Sequence, residues 1–74
     1  MDDREAQEER AELISRTFAL ITAKCEDAAT LAAECQGRHS NQMLRENGER
    51  LRDLISEAST IVDCVMELLS RSEA

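Results

Sequence analysis

Apolar and small side chains recur through the first half of the chain at gaps that alternate between three and four residues. They are Ala11, Ile14, Phe18, Ile21, Cys25, Ala28, Ala32 and Cys35. The second half repeats this alternation at Leu44, Gly48, Leu51, Ile55, Ala58, Val62, Val65 and Leu69. Such spacing places residues on one face of an α-helix and is typical of coiled-coil packing against a second helix. The pattern predicts two long helices whose seams face each other.

The segment QGRHSN separates the two patterns and predicts a turn. Gly37 can adopt the left-handed conformation that often ends a helix, and Ser40 or Asn41 can cap the next one. We expect a single domain over residues 1–74, with helix 1 at about 4–36, a turn at 37–40 and helix 2 at about 41–72. A connection this short joins antiparallel neighbours, so the predicted fold is an all-α, antiparallel two-helix hairpin.

Asn47-Gly48 is a second turn signal, but a break there would interrupt the second seam and leave helices of unequal length. We interpret Gly48 instead as a small residue that lies opposite Ala28 and lets the two backbones approach closely.

Further apolar residues lie beside both predicted seams, and they fall on one flank of the hairpin. They are Leu13, Thr17, Leu20, Leu31, Leu54, Ile61, Cys64 and Leu68. At about 2 kcal/mol for each large side chain, leaving this flank in water would forgo roughly 14 kcal/mol, as much as the stability of a typical domain. We therefore expect these residues to form a dimer or partner interface, most simply in a homodimeric four-helix bundle.

Chain length and cysteine content also favour a partner. A chain of 74 residues buries a modest share of its surface, so a disulfide, a metal or a second subunit usually adds stability. Three cysteines without a CxxC spacing indicate reduced thiols, and the single histidine has no cysteine pattern typical of zinc. The sequence therefore predicts no metal and no cofactor. The charged start and the lack of a long apolar run predict neither a signal peptide nor a membrane span, and hence a cytoplasmic protein.

The net charge of −7 is unevenly distributed. Residues 1–12 contain six acids and two arginines, which disfavours binding to nucleic acid. Arg38, Arg45 and Arg52 recur every seven residues and form a candidate basic docking stripe for an anionic partner segment. Ordinary solvated charge is the alternative interpretation.

No grouping typical of catalysis occurs in the sequence, so we expect no catalytic residue and no enzyme. The predicted function is that of a small interaction module, an adaptor or regulator that acts as a homodimer. One alternative is a co-chaperone or antitoxin-like protein whose apolar face shields a helix of a different protein. Another is a metal-dependent nucleotide hydrolase that uses carboxylates near the amino terminus, at Glu5, Glu8, Glu9 and Glu12.

Overall fold

The computed structural model describes the backbone of residues 3–73 and the side chains of residues 3–71. These residues form two helices, α1 (Asp3–Glu34) and α2 (Asn41–Glu73), which pack against each other. Arg10 near the start of α1 donates a hydrogen bond of 3.4 Å to the carbonyl oxygen of Leu68 near the end of α2. The helices are therefore antiparallel, and the predicted all-α hairpin is confirmed. It is a rod that measures 58 × 17 × 14 Å.

The connection between the helices is built around Gly37. Its φ of 91° lies in the left-handed region, as the sequence predicted, and this conformation would strain any residue with a Cβ atom. Just before it, the amide of Cys35 donates to the carbonyls of Leu31 and Ala32 at 3.2 and 3.1 Å, which tightens the last turn of α1. The chain can therefore reverse direction within residues 35–40.

Ser40 caps the second helix. Its Oγ accepts a hydrogen bond of 3.1 Å from the amide of Met43, and its carbonyl oxygen accepts the amide of Leu44 at 3.0 Å. This geometry satisfies one of the amide groups that a helix start leaves unpaired. Of the two predicted caps, Ser40 is thus the one that acts.

Replacing Ser40 with alanine should destabilise the hairpin by about 1 kcal/mol, because the Met43 amide loses its acceptor. Urea unfolding followed by circular dichroism would show a lower midpoint with an unchanged slope. Ser15→Ala, at an exposed position inside α1, is the matched control and should not lower the midpoint. Equal effects of the two substitutions would contradict a capping role.

The contact between the helices, here called the hairpin seam, is defined by side-chain burial. Val65 is 1% exposed, Leu54 8% and Leu31 9%. Half-buried residues continue the seam at gaps of three and four, at Arg10, Ile14, Thr17, Ile21, Lys24 and Ala28 in α1 and at Leu44, Asn47, Leu51, Ala58, Ile61 and Leu68 in α2. The predicted seam is therefore only partly right, since three of its largest members, Phe18, Ile55 and Val62, are 51%, 57% and 41% exposed.

Lys24 and Thr17 fit into the seam because their polar atoms find partners. The stem of Lys24 lies within the seam while its Nζ contacts a carboxylate oxygen of Glu57 at 2.7 Å. Thr17 Oγ1 donates to the carbonyl of Leu13 at 2.7 Å. No buried side-chain nitrogen or oxygen among the described residues lacks a hydrogen-bond partner. In each helix the observed seam keeps one of the two predicted rows of side chains. The other row is replaced by the row one residue earlier, with Thr17 in place of Phe18 and Leu54 in place of Ile55.

Gly48 lies within α2, so the helix does not break at Asn47-Gly48. It is exposed, and a Cβ atom added there would meet no atom within 4 Å. The expectation that Gly48 allows a close approach of the two backbones is therefore wrong, because the seam passes through Asn47 and Leu51 instead.

Candidate interaction surface

One flank of the hairpin, here called the charged flank, carries ionic side chains from both helices. Lys24 and Asp27 of α1 line a shallow hollow together with Arg50, Asp53 and Glu57 of α2. Leu13 and Leu20 precede Asp27 at intervals of seven residues and therefore lie on the same side of α1. They are 50% and 57% exposed, so this flank also exposes two large apolar side chains.

The opposite flank is uncharged at its centre. Phe18 of α1 and Ile55, Val62 and Met66 of α2 are large apolar side chains that are 41% to 58% exposed. Three exposed small residues border them: Ala11, Cys25 and Gly48. We call these seven residues the apolar face.

Helix geometry explains why the apolar face is continuous. Residues 11, 18 and 25 are seven apart and form one row on α1, while residues 48, 55 and 62 form one row on α2. Both rows follow the seam on its same side, and in an antiparallel pair such rows lie next to each other. Charged residues make up 34% of the chain, yet the row on α1 is uncharged over residues 11–32 and the row on α2 is uncharged over residues 41–69.

The apolar face is uneven and contains a shallow hollow. Gly48 lacks a side chain, and together with Leu51, Arg52, Ile55, Ser56 and Ser59 it lines a shallow hollow on α2. Ile55, which lines this hollow, is 57% exposed. A surface that combines projecting apolar side chains with a recess can interlock with a helix of another molecule.

The eight residues predicted as an interface do not form one open surface. Leu31 and Leu54 are buried within the single hairpin, and Thr17, Ile61 and Leu68 are half-buried there. Leu13, Leu20 and Cys64 are exposed, and they lie on the charged flank. The open apolar surface consists instead of residues that the sequence assigned to the seam, with the addition of Met66.

The three arginines of the predicted basic stripe are all exposed. Arg38 lies in the connection, and Arg45 and Arg52 follow one side of α2, where Arg52 lines the hollow beside Ile55. None of the three forms an ion pair with another residue in the part of the chain that the structure describes. They therefore remain available to an anionic group at the edge of the apolar face.

The acidic start of α1 is a solvated surface. Glu5, Glu8, Glu9 and Glu12 are all exposed. Arg4 contacts Glu8 at 4.0 Å and Arg16 contacts Glu12 at 2.6 Å, in each case one helical turn away. Exposed pairs of this kind contribute little to stability.

Cys25 and Cys64 are exposed thiols and Cys35 is half-buried. Within residues 3–71, no three histidine, cysteine or acidic side chains come together as a set that could hold a metal ion. Neither described helix has a stretch long and apolar enough to span a bilayer. No protein-family model, curated protein or solved structure matches this chain.

Proposed function

We propose that the protein is a small non-enzymatic interaction module, an adaptor or regulator, that acts as a homodimer through its apolar face. The observation that carries the proposal is the division of side chains between seam and surface. The hairpin places Lys24 and Asn47 in its seam while Phe18, Ile55 and Val62 stay in water. Exposed large apolar side chains in one continuous patch mark sites of protein association.

The size of the hairpin supports a stable dimer. One long side of the rod measures 58 × 17 Å, roughly 1,000 Å². A stable interface usually buries about 800 Å² on each partner. Two hairpins stacked along this side would bury the apolar face of each and form a four-helix bundle.

A homodimer should sediment at twice the 8.3 kDa of the chain at micromolar concentration. Its thermal midpoint should rise with protein concentration, because association stabilises the folded form by mass action. Sedimentation equilibrium and melts over a range of concentrations would test both expectations. A cooperatively folded monomer at every concentration would contradict the proposal.

A second candidate is that the apolar face shields a helix of a different protein, as a co-chaperone or antitoxin-like protein does. The unpaired Arg45 and Arg52 beside the face favour it, since they would suit an amphipathic helix with acidic flanks. This candidate predicts a poorly folded monomer that gains cooperative unfolding when such a helix is added. A stable dimer that does not bind the added helix would contradict it.

A further inference from the structure

We infer that the two hairpins of the dimer pack with their apolar faces together and their long axes reversed, so that the connection of one lies over the helix termini of the other. This inference rests on the proposed homodimer and adds its orientation. The difference in charge between the two ends of the rod carries it.

The two ends of the hairpin differ in charge. Residues 3–12 and 63–73, at the end that carries both helix termini, contain eight acids and three arginines, whereas residues 27–52, at the connection, contain four acids and four arginines. Two copies that run in the same direction would place the two acidic ends together. Reversed copies place each acidic end beside an end without net charge, which removes this repulsion.

Salt screening limits the electrostatic interaction between two copies to charges that lie close together. The rod is 58 Å long, which far exceeds the Debye length of about 8 Å at physiological salt. The charges at one end therefore act only on the end of the partner that lies beside them. The overall charge of −7 repels a second copy equally in both directions and does not select between them.

The reversed arrangement has a twofold axis across the middle of the rod, and it places α1 of one copy along α1 of the other. The midpoint of α1 (Asp3–Glu34) falls between Phe18 and Ala19. With the rods fully overlapped, Phe18 therefore lies beside its own copy at the axis. Ala11 and Cys25 are each seven residues from Phe18, so Ala11 of one copy lies opposite Cys25 of the other.

In copies that run in the same direction, different helices lie side by side. Their twofold axis runs along the rod and places α1 of one copy along α2 of the other. Ala11 then lies near the end of the partner's α2 and far from the partner's Cys25. The pair formed by residues 11 and 25 consequently distinguishes the two orientations.

Disulfide cross-linking tests the orientation. The test protein carries Ala11→Cys, Cys35→Ser and Cys64→Ser and keeps Cys25. The two thiols of one chain are fourteen residues apart on one helix, about 21 Å at 1.5 Å per residue, and cannot join within a chain. Mild oxidation should convert most of the protein to a covalent dimer on a non-reducing gel. For each cross-link, the two protein thiols lose two electrons and two protons to an added small-molecule disulfide, which is reduced to two thiols.

The matched control adds Cys25→Ser, so that only the new cysteine at position 11 remains. In the reversed dimer this thiol lies far from its own copy, and we expect no covalent dimer. Both proteins are also sedimented under reducing conditions. A noncovalent dimer without cross-linking between positions 11 and 25 would overturn the reversed orientation but leave the proposed homodimer in place. A monomer under reducing conditions would overturn both.

Discussion

Leu54→Ala should destabilise the hairpin by about 3 kcal/mol, whereas the same replacement of its neighbour Ile55 should leave the isolated hairpin nearly unchanged. Leu54 is 8% exposed and lies in the seam, so its loss removes buried contacts and leaves a cavity. Ile55 is 57% exposed, and alanine has the higher helix propensity. For a hairpin of 74 residues, a loss of this size is a large share of the stability.

The two variants are measured by urea unfolding at several protein concentrations. Leu54→Ala should lower the midpoint at every concentration. Ile55→Ala should lower it only where the dimer is populated, because Ile55 contributes to the apolar face rather than to the seam. If Ile55→Ala cost as much as Leu54→Ala at the lowest concentration, the seam would pass through Ile55 and the observed packing would be wrong.

The helices and their connection follow from local chemistry, and this is why the sequence predicted them. Apolar spacing of three and four residues needs only helix geometry to be interpreted. Gly37 at φ 91° and the Ser40 cap depend on the conformational freedom of glycine and on one hydroxyl within hydrogen-bonding reach. None of these features requires knowledge of what lies across the seam.

The rotation of the helices depends on tertiary contacts and could not be predicted in the same way. Apolar side chains cover an arc of each helix that is wider than one helix contact, so two neighbouring seams are compatible with the spacing. The observed seam contains Arg10, Lys24 and Asn47, which spacing rules assign to a solvated flank. Arg10 and Lys24 are tolerated there because Arg10 donates to the Leu68 carbonyl and Lys24 pairs with Glu57.

The difference between the predicted interface and the apolar face has the same origin. Once the seam is drawn through Phe18 and Ile55, the leftover apolar residues fall around Leu20 and Leu54, on the flank opposite to the apolar face. In the structure Leu54 is buried, and Leu20 lies on the side of α1 that continues with Asp27. The sequence did contain one usable signal, since the rows through Phe18 and Val62 carry no charge over residues 11–32 and 41–69, whereas the row through Leu20 continues with Asp27.

Phe18→Glu should abolish the dimer at micromolar concentration while leaving α1 helical. Phe18 is the largest side chain of the apolar face, and twofold symmetry introduces the glutamate twice. Each copy would lose an aromatic contact and bury a carboxylate without a partner, so we expect the affinity to fall by about 100-fold or more, equivalent to about 3 kcal/mol. In the reversed dimer the two glutamates would also lie beside each other at the axis.

Leu20→Glu is the matched control because it introduces the same charge on the same helix, at a side chain that is 57% exposed compared with 51% for Phe18. It lies on the charged flank and should leave the sedimentation mass at twice that of the chain. The opposite ranking, with Leu20→Glu monomeric and Phe18→Glu dimeric, would place the interface on the charged flank beside Leu13 and Cys64. That result would restore the surface predicted from the sequence and contradict the apolar face as the dimer interface.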